Sequence, residues 1–215
     1  MHPMDAPIDA GEFGPWLLQA AAVLRGTAGA DVPCGSCVGC CVSSYFIPVR
    51  PEDTAARARV PSALLVHAPG QPPDQRMMGY REDGSCPMLE QGLCTIYADR
   101  PQTCRDYDCR IFAAAGIDAG GADKHVINAR VRAWRFRYGD DGEQRAHGAV
   151  RAAAAFIRDH RAAFPGGRGP TAPTGIAVLA LKAHTVFLDR ARATQADADT
   201  AQAIIAASRA FDAAG

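Results

Sequence analysis

Four cysteines crowd into eight residues, Cys34-Gly-Ser-Cys37-Val-Gly-Cys40-Cys41, and four more follow at Cys86, Cys94, Cys104 and Cys109, with none afterwards. Ionised thiols at such spacings repel one another, so they converge only where something holds them, and a metal centre does that. A C-x2-C pair sits on a knuckle turn whose backbone amides donate to thiolate sulfur, and glycine eases the tight backbone this requires. Gly35 and Gly39 stand where that need arises. All eight cysteines are therefore candidate metal ligands.

Spacing leaves the metal open. Cys34, Cys37 and Cys40 form a C-x2-C-x2-C run that, with the remote Cys86-Pro87, has the sulfur pattern of a bacterial ferredoxin cluster of the 4Fe-4S type. A C-x2-C pair joined to a remote cysteine pair is equally a tetrahedral zinc-thiolate site. Neighbouring residues of an extended chain point to opposite sides, so Cys40 and Cys41 are expected to serve two adjacent centres better than one shared ion. Buried thiolate charge demands compensation, for which Arg81, Arg100, Arg105 and Arg110 lie beside the cysteines in sequence. His67 and His125 are the nearest imidazoles, as replacement ligands or as a base for a cysteine nucleophile, but one reactive thiol does not explain seven companions. No catalytic residue is assigned. Glu82, Asp83, Asp106 and Asp108 are expected in solvated or capping roles.

The rest of the composition bounds what these thiols can be. The 215 residues include 48% hydrophobic side chains, enough for a sizeable core, and 23 basic residues balance 23 acidic ones. Zero net charge argues against nucleic-acid binding through bulk electrostatics. The first residues lack the basic start and apolar run of a signal peptide, and no stretch suits a membrane span, so a cytoplasmic protein with no membrane partner is expected. In a reducing compartment eight thiols read as metal-binding rather than as a disulfide framework.

The elements that must position the cysteines follow from periodicity and breakers. Asp9 is a candidate N-cap for a helix carrying Phe13, Trp16, Leu17, Ala20 and Leu24. Residues 43–49 suggest a short strand whose Pro48 favours an edge, Pro51 a short helix, 61–73 a proline-rich loop, and 76–81 a strand. Turn signals at 82–84 and 90–92 predict a small meander bringing Cys86 and Cys94 close together. Residues 128–138 alternate so that Arg132, Trp134, Phe136 and Tyr138 share one face of a strand, read as a ladder covering the core rather than a stacking surface for bases. Three alanine-rich helices close the chain, with His147, His160 and His184 at surface or core-edge positions. The prediction is an α+β, mostly α-helical fold with an irregular cysteine-ligated core of short strands. It comprises a leader at 1–33, a cysteine-cluster domain at 34–140 and a helical segment at 141–215.

The ordered set Cys34-x2-Cys37-x2-Cys40-Cys41, Cys86-Pro87-Met-Leu, Cys94-Thr-Ile-Tyr97, Arg100-Pro101 and Cys104-Arg105-Asp-Tyr107 resembles the cysteine-cluster family named for its CxxCxxCC motif, the YkgJ-type zinc- or iron-chelating proteins. The resemblance implies chelation of zinc or iron by the matching cysteines. It departs from the family in placing Val38, not glycine, directly after Cys37. Some flagellin lysine N-methylases are similar in this region, which implies as the alternative an iron-sulfur-dependent methyl transfer from S-adenosylmethionine. Against it, Gly116-Ile-Asp-Ala-Gly120-Gly121 lacks the preceding apolar strand of a nucleotide-binding turn. Partners beyond a metal ion are not specified by the sequence.

Overall fold

The computed structural model describes residues 6–30, 32, 34–188 and 195–214. The chain passes through β1 (Ile8–Glu12), α1 (Phe13–Leu24), β2 (Ile47–Val49), α2 (Thr54–Arg59), β3 (Leu65–His67) and β4 (Arg76–Met78). It continues through β5 (Leu89–Glu90), β6 (Leu93–Cys94), α3 (Gln102–Asp106), α4 (Arg110–Ala115), α5 (His125–Ala133) and β7 (Trp134–Arg137). Three longer helices follow: α6 (Asp141–Asp159), α7 (Pro173–Ala183) and α8 (Asp197–Ala213). The fold is α+β and mostly helical. No helix among the described residues is long and apolar enough to cross a membrane. The chain forms two compact units, one of Met1–Ala28, Cys109–Gly120 and Asn128–Gly215, the other of Gly29–Asp108 and Gly121–Ile127.

In the first unit β1 pairs in parallel with β7, Ile8 opposite Trp134 and Glu12 opposite Arg137. Asp9 lies inside β1, where its carboxylate accepts the Gly11 N–H at 2.9 Å, and Glu12 occupies the N-cap of α1 instead. The strand predicted over 128–138 starts only at Trp134, because the residues before it are the end of α5. Helical spacing wins there: Ile127, Asn128 and Val131 are buried, and the Asn128 amide accepts from Ala119 N–H at 2.8 Å and donates to Gly120 O at 2.9 Å. Phe13 is fully buried, edge-on to Phe136 at 5.2 Å and stacked on His147 at 4.5 Å. His147 is therefore a core residue rather than a surface one; its Nδ1 meets the Tyr138 hydroxyl at 2.7 Å. Asp140 caps α6 by accepting the Glu143 N–H at 2.9 Å, while Glu143 accepts the Gly139 N–H at 3.0 Å, a reciprocal arrangement of the capping-box kind. Val150, Ala153, Ala154 and Ile157 of α6 are fully buried, and α7 packs against both α6 and α8, the alanines allowing close approach.

The second unit holds a three-stranded antiparallel sheet in the order β2-β4-β3, with Ile47, Met78 and Leu65 in register. Pro48 lies on an edge strand, where its missing N–H breaks no ladder bond. The other edge, β3, falls within the segment predicted as loop, where apolar Leu64-Leu65-Val66 between Pro61 and Pro69 suffices for three strand residues. Helix α2 begins at Thr54, not at Pro51. The unit's core is small: Val49, Ala56, Val60, Met78 and Ile96, with Ile47, Leu64, Leu65, Cys86, Met88 and Cys94 packed against it. Strands β5 and β6 form a hairpin through Gln91 (φ 50°) and Gly92 (φ 76°), the two positive φ values of a type I′ turn.

Candidate metal centre

The first cysteine segment is a knuckle. Cys37 N–H donates to Cys34 O at 3.0 Å across a turn in which Gly35 adopts φ 57°, and Gly39 N–H donates to Cys37 Sγ at 3.4 Å. An amide-to-sulfur bond of the knuckle kind thus forms through Gly39, with Val38 directly after Cys37. Gly39 is buried, and a Cβ there would lie 3.3 Å from Ile127 Cα and 3.4 Å from Cys37 Sγ. Residues Gly39–Val42 then wind into a 3-10 turn, closed by Cys41 N–H to Val38 O at 2.8 Å and braced by Ser43 Oγ–H to Gly39 O at 2.6 Å. That turn corrects the extended-chain reasoning for Cys40 and Cys41. Their sulfurs are 4.0 Å apart, close to the edge of about 3.8 Å of a tetrahedron built on metal–sulfur bonds of about 2.3 Å, so one ion can take both.

The later cysteines are tied to this turn. Cys86 N–H donates to Cys41 O at 2.6 Å. The loop following it is held by Arg81, whose Nη2 donates to Pro87 O at 2.7 Å and whose Nη1 lies 2.9 Å from Leu89 O, 3.2 Å from Cys86 O and 3.3 Å from Ser85 Oγ. The hairpin sets Cys94 opposite Leu89, and Thr95 N–H donates to Met88 O at 2.9 Å. Cys104 lies on α3, whose first N–H, on Gln102, donates to Asp53 Oδ1 at 2.8 Å. Arg105 Nε–H donates to Arg100 O at 3.1 Å, and its Nη2 to Ala98 O. Asp53 carries no motif that would mark it as the anchor of α3. Lys124 and Tyr45 likewise stand in no cysteine motif: the ammonium donates to Ser43 O and, at 2.8 Å, to Asp123 Oδ2, and lies 4.4 Å from the Tyr45 ring centre. The Tyr45 and Tyr107 hydroxyls meet at 3.0 Å, bracing the segment after Cys41 against that after Cys104. The signal available was Tyr107 in the Cys104-Arg-Asp-Tyr107 run.

The thiols feel one another. Burial pushes Cys104 up to about 12, reinforced by the negative charge that Cys40, Cys86 and Cys94 would carry and opposed by Arg100. Burial also raises Cys86, with Cys94 and Cys40 adding to it and the Met88 N–H and Arg81 pulling down. The hydrogen bond with Cys41 raises Cys40, then burial. Cys40, Cys86, Cys94 and Cys104 thus share one electrostatic neighbourhood, with Cys41 beside Cys40. The raised thiols of Cys40, Cys86 and Cys104 stay protonated near pH 7. Cys37, Cys40, Cys41, Cys86, Cys94 and Cys104 are free thiols. Among the described residues no three His, Cys, Asp or Glu side chains stand close enough to hold one ion. The donor set itself, soft sulfur with knuckle amides, fits zinc and iron.

Other candidates lie in different settings. Cys109 is in the first unit, buried, and its sulfur accepts the Trp134 Nε1–H at 3.2 Å, while the Arg130 guanidinium lies 4.4 Å from that indole. Arg110 is buried in the same unit and donates to Ala10 O at 3.2 Å. Cys104 lies on α3 and Cys109 caps α4, separated because the chain turns extended at Tyr107 (ψ 113°). His67 is exposed on β3, and His125 Nδ1 is 3.3 Å from Ala122 O. Asp83 accepts the Ser85 N–H at 2.9 Å and Asp106 the Gln102 side-chain amide at 2.6 Å, the local roles expected of them. Gly116 (φ 68°) ends α4 in a Schellman motif, Ile117 N–H to Phe112 O at 3.1 Å and Gly116 N–H to Ala113 O at 3.2 Å, so the glycine run follows a helix.

No curated protein and no solved structure matches the chain. A family model does, over residues 33–125, and its description is "Putative zinc- or iron-chelating domain". The matched span contains every cysteine, the knuckle and the hairpin described above. Over residues 33–125 the chain is thus similar to the CxxCxxCC family.

Proposed function

We propose that this is a metal-binding protein that chelates zinc or iron through thiolates of its second unit: Cys40, Cys41, Cys86, Cys94 and Cys104, with Cys34 and Cys37 on the knuckle leading into them. The observation that carries the reading is the mutual electrostatic influence of Cys40, Cys86, Cys94 and Cys104, drawn from three separate segments of chain. Ionising several partly covered thiols near one another is costly unless a cation neutralises them, and the Gly39 amide already aims at the Cys37 sulfur. The bound metal would also stabilise a unit whose apolar core is small, since ligand binding to the folded state is folding free energy. Cys109, whose sulfur accepts the Trp134 indole N–H, is assigned a packing role rather than a ligand role.

The metal's identity decides what chemistry the site supplies. A zinc ion needs four thiolates and gives a structural or metal-handling protein; a 4Fe-4S cluster needs four and gives redox chemistry. The methyltransferase alternative gains no support from the fold, because the glycine run is a helix end and the described sheets have two or three short strands. The test is metal content of single Cys→Ser variants purified without oxygen. Substitution at Cys40, Cys86, Cys94 or Cys104 is expected to remove the metal or most of it, and Cys109→Ser to leave it at the wild-type level. Full retention in all four would refute the assignment.

A further inference from the structure

Arg81 is exposed, and an exposed arginine ordinarily spends its donors on water. Here its guanidinium faces one loop alone: Pro87 O at 2.7 Å, Leu89 O at 2.9 Å, Cys86 O at 3.2 Å and Ser85 Oγ at 3.3 Å. Nη1 carries two hydrogens, so its three acceptors are shared, and the planar fork spans carbonyls that belong to three different residues. The backbone closes the same loop from the other side, with Arg81 N–H to Ser85 O and Gly84 N–H to Arg81 O, both at 2.8 Å. Cys86 is thereby gripped at both of its peptide groups: its N–H donates to Cys41 O at 2.6 Å and its carbonyl accepts from Arg81.

We propose that Arg81 is a positioning residue of the metal centre, which holds the 85–89 loop so that Cys86 presents its sulfur alongside the Cys40–Cys41 turn. The inference rests on the metal-binding reading above. It predicts more than a general need for positive charge: lysine supplies charge but is a single donor head that cannot bridge the carbonyls of Cys86, Pro87 and Leu89 together. Groups that orient a metal ligand without touching the metal typically cost about 10–100-fold in affinity when removed.

The test uses the full chain, reduced and oxygen-free, loaded with cobalt(II) as a spectroscopic probe. Affinity is read by chelator competition, thiolate ligation by the sulfur-to-cobalt charge-transfer band, and folding by circular dichroism. Arg81→Lys is expected to keep the helical signal while binding cobalt about tenfold or more weakly, with a weaker charge-transfer band, and Arg81→Ala to lose at least as much. Arg57→Ala, which removes another arginine-to-carbonyl bond of the same unit (Arg57 to Asp74 O, 3.1 Å), is expected to match wild type. Wild-type affinity and spectrum in Arg81→Lys would overturn the inference and leave metal binding standing. An equal loss in Arg57→Ala would also overturn it, since the effect would then be non-specific. Wild-type protein that takes up no cobalt would overturn the metal reading itself.

Discussion

His147 makes the stability of this protein depend on pH in a defined window. The imidazole is buried in the first unit, stacked on Phe13 and edge-on to Phe136 at 5.4 Å, with Nε2 lacking a hydrogen-bond partner. Burial, helped by the nearby Arg151 charge and opposed by the Ala113 and Ala114 carbonyls, pushes it down to about 4. The unfolded chain titrates this residue near 6.5, so between those two values the unfolded state binds a proton that the folded state refuses. Stability is therefore complete above about pH 6.5 and falls as the pH drops towards 4. At about 1.4 kcal/mol per pH unit, the window is worth about 3.5 kcal/mol at most, a large share of a typical domain's stability. Thermal or urea unfolding of wild type and His147→Gln across pH 4 to 8 reads it. The variant should be less stable at pH 7.5, having lost the stacking, yet should lose less stability on acidification, so that the two curves converge. Parallel curves would refute the reasoning, because the loss in wild type would then come from other groups.

Three further substitutions probe the local arguments. Gly84 adopts φ 82°, and a Cβ there would meet Ser44 Oγ at 2.5 Å, so Gly84→Ala should destabilise the second unit by about 1–3 kcal/mol in urea unfolding, through backbone strain and displacement of Ser44. Asp140→Ala removes the side-chain acceptor at the start of α6 and should cost about 1 kcal/mol, read as a drop in melting temperature. Met78→Ala opens a cavity among Val49, Val60 and Ile96 and should cost about 2–5 kcal/mol, with bound metal recovering part of the loss.

The α+β class, the knuckle, the hairpin presenting Cys94 and the three closing helices were legible because each rests on local signals: cysteine spacing, a glycine turn, an i, i+4 apolar stripe. What the sequence hid depends on non-local bonds. Residues 128–133 alternate like a strand, yet the Asn128 amide satisfies backbone groups at Ala119 and Gly120 and favours the helix. β1 needs β7, more than a hundred residues later, to exist as a strand at all. Cys40 and Cys41 read as opposed in an extended chain but lie in a 3-10 turn that Ser43 locks from its side chain. The four arginines share one expected role, compensation of thiolate charge: Arg81 and Arg100 do lower Cys86 and Cys104, while Arg81 also clasps a loop, Arg105 donates to Arg100 O and Arg110, within the first unit, donates to Ala10 O.

Metal analysis of protein purified without oxygen tests the central claim most directly: iron, zinc and acid-labile sulfide by composition, with a visible absorption spectrum. The account predicts zinc or iron bound at a stoichiometric level that falls on substitution of Cys40, Cys86, Cys94 or Cys104. A brown protein with iron and sulfide in comparable amounts assigns the site to a cluster, and a colourless protein with zinc assigns it to a thiolate-bound ion. Protein that is folded, reduced and free of both metals, and that takes up neither when it is supplied, would contradict the account.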